Sequence, residues 1–255
     1  MAFEPRISTT IMYAPWVGWR AENASEIASQ LRASSYIDSV NLHEAANTDD
    51  IWSDARECWL DGDNVDSTHH IVVQGDAELC DGFGEAVYNA IRAVPNRVLG
   101  LYGNHQSMEP AVRDGKRWVR MNGGVWALCV CIPSTDVREM VEWCDYYFED
   151  DYIHDDTMIG AWSQLEYPGD VWQAVPQLVE HRGADDSSIG HNVPTDFTAA
   201  LYVEETDLSA PEIDWVGGSH AVPTITNHHR RPFPGTDGLR HDRLVEDGYI
   251  EEVDQ

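Results

Sequence analysis

The stretch "HHIVVQGDAELCDGF", residues 69–83, decides how the chain is read. His69 to Gln74 is an apolar run centred on Ile71-Val72-Val73, the composition of a strand in the middle of a sheet. The run stops at Gly75 and Asp76, and a second acidic turn follows directly. A carboxylate at the end of a buried strand is unfavourable unless something binds it, and a metal ion is one candidate.

Outward from that strand, strand and helix signals alternate as they do in a parallel sheet covered by helices. "ISTTIMYAP" (7–15) reads as a first strand, and "NASEIASQLRAS" (23–34) as a helix opened by Asn23 as its cap, with Glu26 three residues on. A strand near "SVNLHEA" (39–45) precedes a helix in "TDDIWSDARECWLDG" (48–62), where Ile51, Ala55, Cys58 and Trp59 share a face. Beyond the central strand come a helix in 80–95 and the strand "RVLGLYG" (97–103). "WVRMNGGVWALCVCIP" (118–133) reads as two β-runs around the turn signal Asn122-Gly123-Gly124. Helices in 135–150 and from Asp155, then a strand in 171–181 interrupted by Pro176, complete the pattern. The expected architecture is α/β: a domain over 1–189, followed by a loop-rich extension over 190–255 that wraps the domain or meets a partner.

Composition narrows the setting. With 45 Asp and Glu against 16 basic residues, fifteen of them Arg and one, Lys116, a lysine, nucleic acid is an unfavourable partner. Such an excess self-repels in dilute buffer and is screened at molar salt, where the Debye length falls to about 3 Å. The balance is similar to that of proteins from salt-in halophiles. The chain has no run of about 18 apolar residues and no secretion signal at its start, so the expected location is the cytoplasm of a cell with high internal salt, or a virion assembled there. The five cysteines lack metal-binding spacing; Cys129 and Cys131 alternate on one strand face, and buried free thiols are expected.

In an open sheet, ligands bind beyond the carboxyl ends of the strands. Asp76 sits at such an end. A hard oxygen ligand there suits Mg²⁺ or Mn²⁺ together with a substrate diphosphate; the competing reading is a simple turn former.

The order of four motifs, "THHIVVQGDAELCDGF", "NGGVWALCVCIPSTDVREMVEWCD", "DDTMIGAW" and "VWQAVPQLVEHRGADDSSIG", resembles the glycosyltransferase-like proteins of GT-A fold found in tailed phages and archaeal viruses, distantly similar to the family 25 sugar transferases. The resemblance spans residues 7 to 191. It implies a Rossmann-like mixed sheet flanked by helices and a hexosyltransferase activity that uses Mn²⁺ or Mg²⁺, a nucleotide-sugar donor and a glycan or glycoprotein acceptor. The family's strand-end Gln-Asp-Asp reads here Gln74-Gly75-Asp76, one carboxylate fewer, which leaves Asp76 as metal ligand with His181 of "LVEH" as a second. Asp155 or Asp156 is implied as the base that deprotonates the acceptor, unless both are ordinary first-turn acids. Trp16 and Arg20 fall where the fold receives a nucleotide, Arg56 resembles an Arg near the diphosphate, Gly123 and Gly124 allow close approach of a sugar, and Ser187 and Ser188 offer hydroxyls to phosphate. The alternative is an inactive glycan-binding or virion-associated module that docks, or self-associates, through its C-terminal extension. On that view Gly75 marks the lost chemistry, and Gly75→Asp is harmless.

Overall fold

The structure, a computed structural model, describes residues 3–46, 51–62, 66–103, 108–121, 125–150, 154–167, 171–182, 198–221 and 238–249. In chain order these form β1 (Ile7–Tyr13), α1 (Gly18–Ala33), β2 (Ser39–Glu44), α2 (Ile51–Asp61), β3 (His69–Gln74), β4 (Ala77–Leu79) and α3 (Phe83–Ala93). They continue as β5 (Leu99–Gly100), α4 (Met108–Arg113), β6 (Trp118–Met121), β7 (Cys129–Pro133), α5 (Ser134–Tyr147), α6 (Asp155–Leu165), β8 (Val171–Ala174), β9 (Val179–His181), β10 (Ser219–Ala221) and α7 (His241–Glu246).

Eight strands make one mixed sheet in the order β10-β6-β8-β5-β7-β3-β1-β2. β1, β2 and β3 are parallel, with Ile7 opposite His69 and Ser8 opposite Ser39. β7 runs antiparallel to both β3 and β5, while β5 and β8 are parallel to each other. Both faces of the sheet are covered, which is why β3 and β7 read as continuous apolar runs. Period-two alternation sends Ile71, Val73, Cys129 and Cys131 to the face under α1 and α3. Val72, Val130 and Ile132 point to the opposite face, under α2, α5 and α6. All five cysteines are free and buried, as expected, and burial pushes their thiols up from the ordinary range.

Three expectations change. α1 begins at Gly18, so Asn23 lies inside the helix rather than capping it. The runs around residues 122–124 are not hairpin partners: β6 pairs with β8 and β10, whereas β7 lies between β3 and β5. A turn signal marks a reversal of the chain but does not fix which strand each arm joins. The single strand expected over 171–181 is two: β8 lies in the main sheet, whereas β9 pairs antiparallel with β4, directly after Asp76, in a separate two-stranded sheet.

Beyond residue 190, the described residues 198–221 and 238–249 pack onto the domain. Tyr202, Val203, Ala210, Ile213 and Trp215 are buried in the core under α1 and α3. β10 extends the main sheet, and the Trp118 indole N–H donates to the Trp215 carbonyl at 2.8 Å. On the opposite face, Leu244 of α7 joins the core formed by α5 and α6.

Candidate functional site

β1 and β3 are neighbours and run in the same direction, but the chain leaves β1 for β2 on one side while β3 lies on the other. The carboxyl ends of β1 and β3 therefore lie side by side, next to the start of α1 and the turn at Gly75-Asp76, at the end of the strands where open α/β sheets receive ligands.

Packing determines the turn's sequence. The Gly75 N–H donates to the Met12 carbonyl at 2.7 Å. A Cβ on Gly75 would fall 2.6 Å from the Tyr13 Cβ and 3.2 Å from its Cα, so β1 leaves no space for a side chain. The absence of an acid at position 75 therefore has a steric cause. Asn23 holds the turn from inside α1: its amide nitrogen donates to the carbonyls of Gly75 and Ala77, both at 2.9 Å. The β4–β9 pairing sets Ala77 opposite His181, and the Arg182 N–H donates to the Asp76 carbonyl at 2.7 Å.

These contacts place three of the expected residues together. Asp76 is 4% exposed. Its Oδ2 lies 2.5 Å from Nη2 of Arg20, itself buried, and 3.8 Å from Nε2 of His181. Oδ1 is buried with no hydrogen-bond partner. An orphaned buried oxygen of this kind costs about 1–3 kcal/mol or more, and native interiors keep very few. The Arg20 guanidinium also lies 5.6 Å from the Trp19 ring centroid, and Trp16, in the loop before α1, is 45% exposed. Behind His181, its ring and that of Tyr102 are 6.3 Å apart.

Asp155 and Asp156 open α6 on the face that carries α2 and α5. Asp155 is buried; burial, reinforced by the charge of Asp156, pushes its carboxyl up to about 7, although it accepts the Asp156 N–H at 2.9 Å. Desolvation thus outweighs the helix terminus that was expected to keep it ionised. Asp156 is half-buried and accepts the Thr157 N–H at 2.7 Å. Arg56 pairs with Asp145 at 2.8 Å, and the Trp52 indole donates to the other oxygen of the same carboxylate at 2.9 Å, tying α2 to α5. The side chain of Gln74 is half-buried, and its backbone N–H donates to Leu128 at 2.9 Å. Gly123, Gly124, Ser187 and Ser188 lie outside the described residues.

Among the described residues no group of three or more His, Cys, Asp and Glu side chains is arranged to hold a metal ion. Asp76 Oδ2 and His181 form a pair of the kind used by an ion that keeps several waters and takes substrate phosphates. The residues present fit such an ion. Sequence reasoning missed Asn23 as the brace of the turn, and it missed Gln173. This Gln173 amide is fully buried on β8 with neither polar atom partnered, and a Cβ at Gly100 would fall 2.1 Å from its Oε1. A lone amide in the apolar run "VWQAV" was the available signal.

No protein-family model matches the chain, and no curated protein matches it by sequence. Among solved structures it is similar to S. aureus TarS 1–349, with 10% identity and a TM-score of 0.46, over 66% of this chain and 60% of that one. The chain thus spans less than two thirds of that protein's solved length, and the functional argument rests on the residues themselves.

Proposed function

We propose that the protein transfers a hexose from a nucleoside diphosphate donor to a hydroxyl of a glycan or glycoprotein, with the donor's diphosphate received at the carboxyl ends of β1 and β3. The observation that carries this reading is the buried Asp76 carboxylate, with one oxygen unpartnered and the other shared by Arg20 and His181. Asp76 and His181 hold Mn²⁺ or Mg²⁺, which when bound neutralises charge on the leaving diphosphate. Arg20 supplies a further positive charge to the phosphate oxygens. Trp16, exposed in the loop before α1, offers a ring face to the base. The acceptor oxygen forms the new bond to the anomeric carbon as the carbon–oxygen bond to the diphosphate breaks, and its proton passes to Asp156. Asp156 is preferred to Asp155 because the latter is buried and held partly protonated near neutral pH.

The test is release of nucleoside diphosphate from a panel of nucleotide sugars with Mn²⁺ in molar KCl. Wild type is expected to turn over at least one donor, and Asp156→Asn and His181→Ala to lose about 100-fold or more. Turnover unchanged in both variants contradicts the assignment.

A further inference from the structure

The proposed metal site is already occupied on one side by the protein's own cation. The oxygen of Asp76 that faces His181, Oδ2, is the one that carries the Arg20 guanidinium at 2.5 Å, while Oδ1 is enclosed. Both partners of the pair are more than nine-tenths buried. Arg20 sits in the first turn of α1, next to the carboxyl ends of β1 and β3, on a long side chain that can reach either the carboxylate or an incoming phosphate.

Building on the functional reading above, we propose that Arg20 is an exchangeable stand-in for the metal: it satisfies Asp76 in the free protein and transfers to the donor's diphosphate when the donor binds, releasing Oδ2 to the divalent ion. Arg20 is thus a positioning residue that couples two ligands. Metal alone must break the buried Arg20–Asp76 ion pair. Diphosphate alone draws Arg20 away and strands a buried carboxylate. Together, each ligand satisfies the charge the other uncovers, so metal and diphosphate bind with positive coupling, and by linkage each raises the other's affinity by the same factor. The pairing also balances the charge of the buried Asp76 in the free protein.

The experiment is calorimetric titration with Mn²⁺ in molar KCl, with and without UDP, on wild type, Arg20→Gln and Arg20→Lys, each checked for folding by circular dichroism. In wild type, Mn²⁺ is expected to bind at least about tenfold more tightly with UDP than without. Arg20→Gln is expected to bind Mn²⁺ alone at least about tenfold more tightly than wild type and to lose most of the coupling. Arg20→Lys, with a charge on a less well matched head group, falls between them and covers the case in which the Gln variant does not fold. Mn²⁺ affinity unchanged in the folded variants, with UDP-dependent Mn²⁺ binding intact in wild type, overturns the exchange while leaving the donor site standing. No Mn²⁺ binding by wild type under any condition overturns the metal reading and the exchange with it.

Discussion

The two ends of β3 carry buried polar side chains treated in opposite ways. At the amino end, His69 and His70 have every ring nitrogen engaged: His70 Nε2 donates to the Cys58 carbonyl and Nδ1 meets the Ser8 hydroxyl, both at 2.8 Å. His69 Nε2 donates to the Pro95 carbonyl at 2.8 Å, and Nδ1 meets Thr68 Oγ1 at 3.0 Å. At the carboxyl end, Asp76 keeps one oxygen unpartnered and shares the other with a buried arginine. His69, His70 and Asp76 are all buried, so burial alone does not mark a site. Completeness of pairing distinguishes the two histidines from Asp76.

The comparison can be broken most sharply at Asp76. Asp76→Asn breaks the buried ion pair with Arg20 and is expected to lose about 3–5 kcal/mol in denaturant unfolding. The double variant Asp76→Asn with Arg20→Gln should recover most of that loss, because neither charge remains. An additive double variant would show that the pair is not coupled. At the other end, His70→Leu removes partners from Ser8 and Cys58 and should lose about 2–4 kcal/mol at pH 7.

His70 also predicts a pH dependence. Burial lowers both histidines from 6.5 to about 4 in the folded protein. The unfolded chain therefore takes up their protons first, and their contribution, full above pH 6.5, is lost as the pH falls towards 4. The slope of stability against pH in that window should diminish by one proton in His70→Leu, and an unchanged slope would contradict the assignment.

A smaller effect is expected at Gly75. Gly75→Asp forces a side chain against Tyr13 and should destabilise by about 1–3 kcal/mol without restoring any metal affinity. A Gly75→Asp variant of wild-type stability would show that position 75 has room for the acid. A last effect concerns Asp155, whose carboxyl rises from 3.8 to about 7 on folding. Its contribution is full below pH 3.8 and lost as the pH rises to about 7, so Asp155→Asn should gain stability at pH 8 and nothing near pH 4. A gain that is the same at both pH values would point to packing rather than ionisation.

Much of the architecture is legible in the sequence because it follows from local periodicity. The apolar run of β3 announces a strand buried on both faces, and Asp76 at its end announces the candidate site. Non-local partners are not written that way. The separation of β6 from β7 depends on which strands fill the sheet between them, and the exclusion of a side chain at position 75 depends on how closely Tyr13 approaches. Asn23 reads as a helix cap from its neighbours alone; only the packing of α1 against the turn reveals it as a brace. The ion pair of Arg20 with Asp76 joins residues 56 positions apart, and no spacing rule indicates it.

The measurement that bears most directly on the central claim is calorimetric titration of UDP into the folded protein in molar KCl, with and without Mn²⁺, beside the double variant that removes both Arg20 and Asp76 charges. High salt screens the net charge of −29, which otherwise opposes the compact state. The account predicts binding that needs Mn²⁺ in wild type and is absent from the folded double variant. Equal UDP binding by the double variant, or no binding of UDP or any other nucleoside diphosphate by the folded wild type, would contradict it.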